Sequence, residues 1–425
     1  MSDTIFALSS GAPPAAIAVV RISGPDAKAA LAGLAGSLPA PRRATLRRLS
    51  DSAGDPLDDA LVLWLPGPAT ATGEDCAELH LHGGRAVVAA AEAALSCLPG
   101  LRRAEPGEFT RRAFANGRID LAEAEGLADL LTAETELQRR SALAMAEGAL
   151  SRQAGAWRSE LLTISAALEA QLDFSDEDDV APLPSDFAAR CRALAREIGG
   201  WLARPRAEPL REGFRVVLAG PPNAGKSTLF NTLVQQEAAI TAAEPGTTRD
   251  VLTVTVALEG VPFTFVDTAG LRDEGAGEIE RIGIARAHAA ASGADLVLWL
   301  GPEGSGPDDA PLWEIAAQAD RTTAKSSPRH RLSALTGEGM GGLRDDLLAH
   351  ARSVLPRPGE AALNARQHAK LSECAAALEA AAALDDPLLA AEELRLARVA
   401  LDRLLGSAGV EDMLDALFGR FCIGK

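Results

Sequence analysis

The sequence predicts a multidomain chain of mixed α/β and α+β class. An N-terminal α+β domain precedes an α-helical domain, which an inserted α/β domain interrupts. Three observations support this prediction: short strand-like runs in the first 118 residues, two later stretches of helical periodicity, and a glycine-rich octet behind an apolar strand between those stretches. The predicted boundaries are 1–118, 119–211, 212–357 and 358–425, and the second and fourth segments form one discontinuous helical domain.

Residues 1–118 have the pattern of a small α+β domain. Strand-like runs occur from Ala16 to Ile22, from Leu61 to Leu65 and from Glu78 to Leu81, and Gly, Pro and Asp separate them. Runs of this length between turn-forming residues are typical of β-strands.

Apolar residues recur at helical spacing on both sides of the octet, which indicates packed helices. The positions are Trp157, Leu161, Ile164, Leu168 and Leu172; Phe187, Cys191, Leu194, Ile198 and Leu202; Leu371, Cys374 and Leu378; and Leu394, Ala397, Leu401 and Leu404. Because both flanks share this pattern, we interpret the segment between them as an insertion, which is tolerated where chain ends lie close together. The acidic run 173–179 is interpreted as a solvated loop rather than a metal site.

Composition limits the class of protein. A length of 425 residues suits roughly three domains. No long uncharged apolar run predicts a membrane span, and the first residues lack the basic start of a signal peptide. Five cysteines without metal-ligand spacing favour a reducing compartment. We therefore expect a soluble, cytoplasmic protein that does not bind membranes, with most cysteines as small core residues.

The net charge of -17 opposes binding of a polyanion by the chain alone, because nucleic-acid-binding surfaces carry basic residues that neutralise phosphates. A nucleic-acid substrate would require a local basic patch or a partner protein. We interpret the densest basic stretch as a solvated arginine face rather than an RNA-binding patch. Its members are Arg102, Arg103, Arg111, Arg112 and Arg118.

The glycine-rich octet Gly220-Pro-Pro-Asn-Ala-Gly-Lys-Ser227 directly follows the apolar run Val216 to Ala219. A strand, a glycine loop and a helix start in this order form a phosphate-binding loop, because glycines let the backbone amides approach the phosphates. Lys226 would reach the β- and γ-phosphates, and Ser227 would bind Mg²⁺. The alternative is an ordinary glycine turn before a helix.

Two further elements occur in the order expected of a Ras-like P-loop GTPase. In Gly246-Thr-Thr-Arg-Asp250, Thr248 would complete the Mg²⁺ shell. Asp267-Thr-Ala-Gly270 would place a carboxylate near the metal and a glycine amide near the γ-phosphate. The residues predicted here to bind GTP are Asn223, Ala224, Gly225, Lys226, Ser227, Thr228, Thr247, Thr248, Asp267, Thr268, Ala269 and Gly270.

Motifs along essentially the whole chain resemble the MnmE (TrmE) family of tRNA-modification GTPases. They are Asp3-Thr-Ile5, Pro106-Gly-Glu-Phe-Thr-Arg-Arg-Ala-Phe114, Asn116-Gly-Arg-Ile-Asp-Leu121, the phosphate-loop Asn223, and Arg420-Phe-Cys-Ile-Gly-Lys425. The resemblance implies an N-terminal tetrahydrofolate-binding domain, a discontinuous helical domain and an inserted G domain.

The resemblance also implies a reaction. A homodimer of the chain would work in a heterotetramer or larger complex with MnmG (GidA), which uses FAD and NADH. The complex would add an aminomethyl or carboxymethylaminomethyl group to carbon 5 of the tRNA wobble uridine. The one-carbon unit would come from 5,10-methylenetetrahydrofolate, of which 5-formyltetrahydrofolate is an analogue, and the amine from glycine or ammonium. MnmG would provide much of the tRNA-binding surface.

Four positions match the folate contacts of the family: Arg21, Glu78, Arg118 and Lys425. A carboxylate accepts the paired donors of a pterin edge, and cations bind the glutamate tail. Without the resemblance, each would be a solvated charge or part of an ion pair that stabilises the fold. His80 and His82 are interpreted as neighbours on one face of a strand, not as metal ligands.

The resemblance assigns a water-orienting group for GTP hydrolysis. Leu271 and Arg272 stand where Ras-type sites have a glutamine, and the family instead uses a later glutamate that matches Glu280. The alternative is a surface carboxylate that pairs with Arg281 or Arg286.

The resemblance also implies K⁺ in place of an arginine finger, between two facing G domains. The matching ligands are Asn223 and a following loop that contains Ala242, Glu244 and Thr247. Ala242 and Glu244 stand where the family commonly has a threonine and an apolar residue, so main-chain carbonyls would have to serve. Such a positive charge is worth about 10³ to 10⁵ in rate.

The guanine-recognition element departs from the expected Asn-Lys-x-Asp. After the run Leu312 to Ala316 the chain has Ala317-Gln-Ala-Asp320. Asp320 would still accept two hydrogen bonds from guanine, but the asparagine and the lysine are absent. Ser333 and Ala334 match the loop that caps the base. We expect weak GTP and GDP binding with the guanine preference retained.

Cys422 is a second catalytic candidate, because the nearby Lys425 would lower the pKa of its thiol. The alternative is a small apolar side chain on the stripe Val410, Met413, Leu417 and Phe421.

A different class of function also fits the phosphate-loop motifs. The chain would then be a regulatory or ribosome-assembly GTPase without one-carbon chemistry. Folate binding by residues 1–118 would distinguish the two interpretations.

Overall fold

The computed structural model describes residues 3–173, 183–235, 252–267, 293–308, 310–319 and 325–407, with residues 414, 417–419, 421 and 424 near the C-terminus. The chain divides into two compact units. One unit comprises residues 1–128 and 401–425, and the other comprises residues 129–400.

The N-terminal unit contains a six-stranded sheet with the strand order β3-β4-β5-β2-β1-β6, in which neighbours are antiparallel except for the parallel pair β1 and β6. Its elements are β1 (Thr4–Leu8), β2 (Ile17–Ser23), α1 (Ala27–Ala35), β3 (Thr45–Ser50), β4 (Pro56–Leu65), β5 (Cys76–His82), α2 (Arg85–Ser96), β6 (Leu101–Arg103) and α3 (Glu108–Ala115); α4 (Leu121–Thr132) follows. The predicted runs Leu61 to Leu65 and Glu78 to Leu81 fall within β4 and β5, and the run Ala16 to Ile22 begins one residue before β2.

Alternation along the strands divides the sheet into two faces. On one face, Val20, Val62 and Leu79 pack in a buried cluster with Leu31 of α1 and Leu95 of α2. On the other face, Phe109 of α3 packs against Ile5 and Ala7 of β1. The sheet therefore has helices on both sides, and α3 covers only the side near β1.

The prediction of a solvated arginine face agrees with the exposure of Arg102, Arg103 and Arg118, but it was wrong for Arg112. The Arg112 side chain is fully buried and donates to Asp3 Oδ1 at 3.0 Å, Glu74 Oε2 at 3.2 Å and Glu108 Oε1 at 3.1 Å. Arg102 pairs with Asp3 and Glu108. These guanidinium groups neutralise carboxylates of their own domain and are not available as a free RNA-binding patch.

The C-terminal residues pack on the N-terminal unit. Phe418 and Leu417 form a buried cluster with Leu121 and Phe114. Further on, the Ser9 hydroxyl donates to the Gly424 carbonyl at 2.8 Å. Leu417, Phe418 and Phe421 thus contribute to the N-terminal core, although they lie near the end of the sequence.

Four helices correspond to the predicted stripes: α6 (Ala149–Asp173), α7 (Phe187–Leu202), α11 (Ala365–Ala381) and α12 (Pro387–Leu405). Two more, α5 (Glu136–Ala146) and α8 (Glu208–Glu212), carry no predicted stripe. All six lie in the second unit except for the last five residues of α12. The predicted stripes are confirmed: Trp157, Leu161, Ile164 and Leu168 are at most 1% exposed, and α7 packs against α11. Amphipathic helices bury such a stripe to remove apolar surface from water.

A second six-stranded sheet lies between these helices in the sequence, with the order β12-β11-β10-β7-β9-β8. All its neighbours are parallel except β8 and β9. Its elements are β7 (Phe214–Ala219), α9 (Lys226–Gln235), β8 (Leu252–Leu258), β9 (Val261–Asp267), β10 (Leu296–Trp299), β11 (Leu312–Ala316), β12 (His330–Arg331) and α10 (Met340–Val354). The central strands are buried along their length, as expected for a parallel sheet with both faces covered.

Two side chains from the helices that precede the sheet, Leu137 of α5 and Leu210 of α8, complete its core. Leu137 of α5 is buried in the same cluster as Phe214, Val256 and Phe263. Its amide donates to the Gly260 carbonyl in the turn between β8 and β9, at 3.4 Å. A capping box formed by Thr135 and Gln138 fixes the start of α5, so the cap determines where Leu137 enters the core.

Cysteine burial agrees with the predicted core role at three of the four cysteines that the structure describes. Cys76, Cys191 and Cys374 are buried, and Cys97 is exposed. Burial raises the pKa of the Cys191 thiol to about 11 and that of Cys374 to about 12, so neither is a reactive thiolate at neutral pH. Within the described ranges, every helix is too short or too polar to cross a bilayer.

Candidate functional site

The glycine-rich octet forms the turn between β7 and α9. β7 ends at Ala219, the loop follows, and α9 begins at Lys226. β7 lies between β9 and β10, so the loop is at the carboxyl edge of the sheet, where α/β proteins bind ligands. The sequence left open an ordinary glycine turn at this point. Such a turn could occur anywhere in the sheet, so the central position favours a phosphate-binding loop.

Two glycines of the loop have backbone conformations that other residues rarely adopt. Gly220 has φ of 148°, and a Cβ there would lie 3.0 Å from the Gly301 nitrogen. Gly225 has φ of 95°. Both positions therefore require glycine, one for close approach to the neighbouring strand end and one for the turn into α9.

Lys226 and Asp267 are the buried charges of this site, with exposed fractions of 6% and 4%. The Lys226 ammonium donates to the carbonyls of Gly220 and Pro221, each at 2.8 Å. Burial lowers the pKa of Lys226, and the nearby Asp267 carboxylate opposes that shift. The Lys226 cation is therefore held over the loop carbonyls, close to the carboxylate that ends β9.

The hydroxyl groups predicted for the phosphates lie at the start of α9. Ser227 and Thr228 are exposed in its first turn, and Ala224 and Gly225 are half-buried just before it. Backbone amides at a helix N-terminus favour an anion. Asp267 ends β9 opposite Leu218 of β7. The other predicted phosphate and Mg²⁺ residues, Thr247, Thr248, Thr268, Ala269 and Gly270, lie outside the described residues.

The predicted base-binding residues that the structure describes lie beside the loop. Ser333 is buried, its amide donates to the Glu338 carbonyl, and it forms a β-bridge with Gln318. The Ala334 carbonyl accepts a hydrogen bond from the Thr232 hydroxyl of α9 at 3.3 Å. The segment 332–334 is thus anchored to α9 and to the end of β11. Asp320 lies outside the described residues.

Asn223 is exposed and has φ of 61°, a left-handed conformation. Its carboxamide makes no hydrogen bond to any residue that the structure describes. The other predicted K⁺ ligands, Ala242, Glu244 and Thr247, and the predicted catalytic residue Glu280 are outside the described ranges.

Arg21 and Glu78 face each other across β2 and β5. The Arg21 guanidinium donates twice to Glu78 Oε1, at 3.0 and 3.1 Å, and His80 contacts Glu78 Oε2 at 3.2 Å. The ion pair is the contact that the fold-stabilising alternative predicts. A carboxylate has about four acceptor positions, so Glu78 retains capacity for a further donor.

Arg118 is exposed, and its stem lies against Gly73, where an added Cβ would be 3.1 Å from Arg118 Cγ. No described residue accepts a hydrogen bond from its guanidinium. Asn116 donates to the Thr72 carbonyl at 2.7 Å, which fixes the turn before Arg118 to the loop preceding β5.

The C-terminal candidates Cys422 and Lys425 lie outside the described residues, but Gly424 between them is described. Gly424 has φ of 96°, and a Cβ there would lie 2.0 Å from the Leu8 carbonyl oxygen. Gly424 therefore lies beside Leu8 and Ser9 at the end of β1, the strand next to β2, which carries Arg21. This glycine was not among the predicted site residues.

His80 and His82 lie on one face of β5, as predicted. His80 contacts Glu78, and His82 Nδ1 lies 2.7 Å from Asp58 Oδ1. The described part of the chain contains no cluster of three His, Cys, Asp or Glu residues suited to a metal. The Mg²⁺ and K⁺ predicted from the sequence would instead be held mostly by hydroxyl, amide and carbonyl oxygens.

A cavity of about 180 Å³ lies among α5, α8 and the end of α4. Asp129, Gln138, Met145 and Leu210 line it. Gln138 donates to the Leu210 carbonyl at 3.0 Å. None of the predicted site residues lines this cavity, so it is separate from the phosphate loop.

The fold and the loop geometry define a P-loop nucleotide-binding domain of the GTPase type within a multidomain chain. A family model described as the MnmE helical domain matches residues 121–422. A second, described as the GTP-binding protein TrmE N-terminus, matches residues 4–118. The chain belongs to the MnmE family.

Relatives named tRNA modification GTPase MnmE are similar over their whole length. That of Novosphingobium aromaticivorans is 74% identical over 437 aligned positions, which cover 100% of both chains. That of Erythrobacter litoralis is 65% identical over 425 positions, also covering 100% of both. That of Rhizorhabdus wittichii is 60% identical and covers 100% of this chain and 97% of its own.

Proposed function

We propose that this chain, a GTP hydrolase that acts in tRNA modification, is activated by K⁺ and works with MnmG (GidA) on carbon 5 of the wobble uridine. The product would be an aminomethyl or carboxymethylaminomethyl uridine, with the one-carbon unit taken from 5,10-methylenetetrahydrofolate. The observation that carries the GTPase part is the position of two buried opposite charges beside a glycine loop: Lys226 at the start of α9 and Asp267 at the end of β9. The names of the relatives support the tRNA part.

The proposal divides the chain into a folate-binding domain at 1–118, a helical domain at 119–211 and 358–425, and an inserted G domain at 212–357. The parallel sheet from Phe214 to Arg331 supports the inserted domain, because it lies in sequence between two groups of helices. Leu137 of α5 links the helical domain to the inserted G domain, because its side chain is buried in the core of the G-domain sheet. It joins the core of the sheet next to β9, the strand that ends at Asp267.

At the phosphates, Lys226 would exchange its two loop carbonyls for phosphate oxygens, and the amides of residues 223–228 would hold the β-phosphate. Ser227 and Thr248 would bind Mg²⁺, which neutralises charge on the phosphates when bound, with Asp267 nearby. Asn223, with carbonyls of the loop 242–247, would bind K⁺, which supplies positive charge between the β- and γ-phosphates. Glu280 would orient the attacking water.

GTP hydrolysis should be faster in K⁺ than in Na⁺ at equal ionic strength, by about tenfold or more, because K⁺ would replace an arginine finger. The measurement is phosphate release by the purified chain in matched chloride buffers. Asn223→Ala should abolish the difference, whereas Asn116→Ala, in the N-terminal domain, should retain it. Equal turnover of the unmodified chain in the two buffers would contradict the K⁺ site.

In the N-terminal domain, Glu78 would accept the donors of a pterin, and Arg118 and Lys425 would bind the carboxylates of the glutamate tail. Arg21 would orient Glu78 through their double hydrogen bond. Bound methylenetetrahydrofolate would supply the carbon that becomes the exocyclic methylene of the uridine. Cys422 would lie beside this site through Gly424, which is seated at the end of β1.

Gly424→Ala should weaken binding of 5-formyltetrahydrofolate by about tenfold or more. A methyl group at residue 424 would lie 2.0 Å from the Leu8 carbonyl oxygen, so the chain end would have to move and carry Lys425 away. Loss of a charge-assisted contact is worth about 1.5–3 kcal/mol, or roughly 10- to 100-fold in affinity. The measurement is calorimetric titration of the full chain.

Gly36→Ala is the matched control for that variant. Gly36 also has a positive φ, of 70°, but a Cβ there has nothing within 4 Å. Folate affinity should therefore remain that of the unmodified chain. If both variants bind the folate equally well, the C-terminal residues do not contribute to the folate site.

MnmG would supply the basic surface for tRNA. This division of labour suits a chain with a net charge of -17, whose arginines Arg102, Arg103 and Arg112 are paired with carboxylates. We further propose a cytoplasmic homodimer that binds MnmG in a heterotetramer or larger assembly, with FAD and NADH acting through MnmG.

A further inference from the structure

Gln318 contacts the phosphate loop. It lies two residues beyond β11, and its Nε2 donates to the main-chain carbonyl of Asn223 at 3.1 Å. A Cβ built on Gly225 would lie 3.6 Å from Ala317 Cβ and 3.7 Å from Gln318 Nε2. The segment 317–318 therefore packs directly on the loop.

The backbone around Gln318 is itself fixed. Gln318 forms a β-bridge with Ser333, and the Ala319 amide donates to the Leu332 carbonyl at 2.9 Å. Gln318 is half-buried. Its side chain thus extends from a rigid strand end to a loop residue, which is the arrangement of a tether.

Asn223 is the residue that such a tether would most affect. Its φ of 61° is left-handed, a conformation that costs a non-glycine residue about 1 kcal/mol, although asparagine tolerates it best. Among the described residues, only Gln318 holds the Asn223 carbonyl through a side chain. Loss of that hydrogen bond would let the loop leave the left-handed conformation.

We propose that Gln318 is a positioning residue that holds the main chain of Asn223 in the conformation required of a K⁺ ligand. The inference rests on the proposed function, since the K⁺ role of Asn223 is part of it. Gln318 stands where the usual guanine element has lysine. Position 318 would then contribute to cation binding as well as to base binding, because its side-chain donor links the end of β11 to the phosphate loop.

The side-chain donor is the property to test. Gln318→Met keeps the length and the neutral charge but removes the N–H donors, and Gln318→Lys restores a donor. For the full chain, two quantities are measured: the K⁺ concentration that gives half-maximal GTP hydrolysis at constant ionic strength, and hydrogen exchange of the 221–225 amides without nucleotide.

Gln318→Met should raise the half-maximal K⁺ concentration about fivefold and speed exchange of the loop amides by a similar factor, as expected for the loss of one neutral hydrogen bond. The dissociation constant for GDP in Na⁺ buffer should change less than twofold, because methionine retains a stem of similar length that would pack beside a bound base. Gln318→Lys should return both K⁺ dependence and exchange to near the original values.

Other outcomes separate the possible failures. If K⁺ does not stimulate GTP hydrolysis by the unmodified chain, both the proposed K⁺ activation and the positioning role of Gln318 are wrong. If the unmodified chain is stimulated but Gln318→Met leaves its K⁺ dependence or its loop exchange unchanged, only the inference is overturned. An equal loss of GDP affinity and K⁺ affinity would make Gln318 a base-binding residue instead of a positioning residue.

Discussion

Replacement of Lys226 by alanine should reduce GTP hydrolysis by about 10² to 10³ and leave the wobble uridine unmodified. Lys226 is the cation of the phosphate loop, and its ammonium already occupies a buried position over the Gly220 and Pro221 carbonyls. Its removal takes away the charge that would stabilise the transferring phosphoryl group. The two measurements are phosphate release by the purified chain and mass spectrometry of tRNA from cells that carry only the variant.

Lys370→Ala is the matched control. Lys370 lies in α11 and pairs with Glu373 at 2.7 Å, outside the G domain, so both readouts should equal those of the unmodified chain. If Lys226→Ala abolishes hydrolysis but cells still modify the uridine, GTP hydrolysis is not part of the pathway. If hydrolysis persists, the phosphate loop has been assigned incorrectly.

The loop and the helices were predictable because their signals are local in sequence. A strand, two glycines and Lys226 within about twelve residues determine the turn and its place at the sheet edge. The stripe from Trp157 to Leu168 follows from the period of an α-helix, because apolar residues three and four positions apart lie on the same face of a helix. Neither required knowledge of distant contacts.

The contacts that the sequence analysis missed all join residues far apart in the chain. Arg112 was interpreted as solvated, because the sequence gives the number of charged residues but does not show that Asp3 and Glu74 lie beside the Arg112 guanidinium. Leu137 belongs to the core of the G domain although it lies about 80 residues before Phe214. Residue 424 has no room for a side chain because Leu8, more than 400 residues earlier in the sequence, lies beside it.

The altered guanine element illustrates the same limit within the site. The sequence shows that lysine is absent at position 318, and from this alone one expects only weaker nucleotide binding. The hydrogen bond from Gln318 to Asn223 depends on the parallel order of β7, β10 and β11, which brings two strand ends together. One sequence signal could have identified this hydrogen bond: position 318 carries glutamine, whose side-chain amide is a donor, where the usual element has the longer donor lysine.

Replacement of Arg112 by methionine should destabilise the N-terminal domain by about 3–5 kcal/mol, because it removes a buried cation and leaves the buried Glu108 and the half-buried Glu74 with unpaired acceptor positions. The guanidinium is fully buried and bonds to Asp3, Glu74 and Glu108. Native-state hydrogen exchange of the slowest amides in β1 should accelerate by about 10² to 10⁴, since 1.4 kcal/mol corresponds to tenfold.

Arg103→Met is the comparison for this variant. Arg103 is 64% exposed and pairs with Glu92 at 2.8 Å, and an exposed ion pair contributes about 0–1 kcal/mol. Exchange in β1 should therefore change little. Similar acceleration in the two variants would show that Arg112 contributes no more than a surface arginine.

The pH dependence provides an independent check on the Arg112 network. Burial opposes ionisation of Glu108, but hydrogen bonds from Arg102, the Glu105 amide and Arg112 hold its pKa below the usual value. A carboxyl with a depressed folded-state pKa stabilises the fold at pH above its unfolded pKa of about 4.3, and that contribution is lost as pH falls through the folded value. The difference between Arg112→Met and the unmodified chain should be full at pH 7 and should narrow as the pH falls below about 4. A difference that is independent of pH would mean that Arg112 stabilises the domain by packing alone.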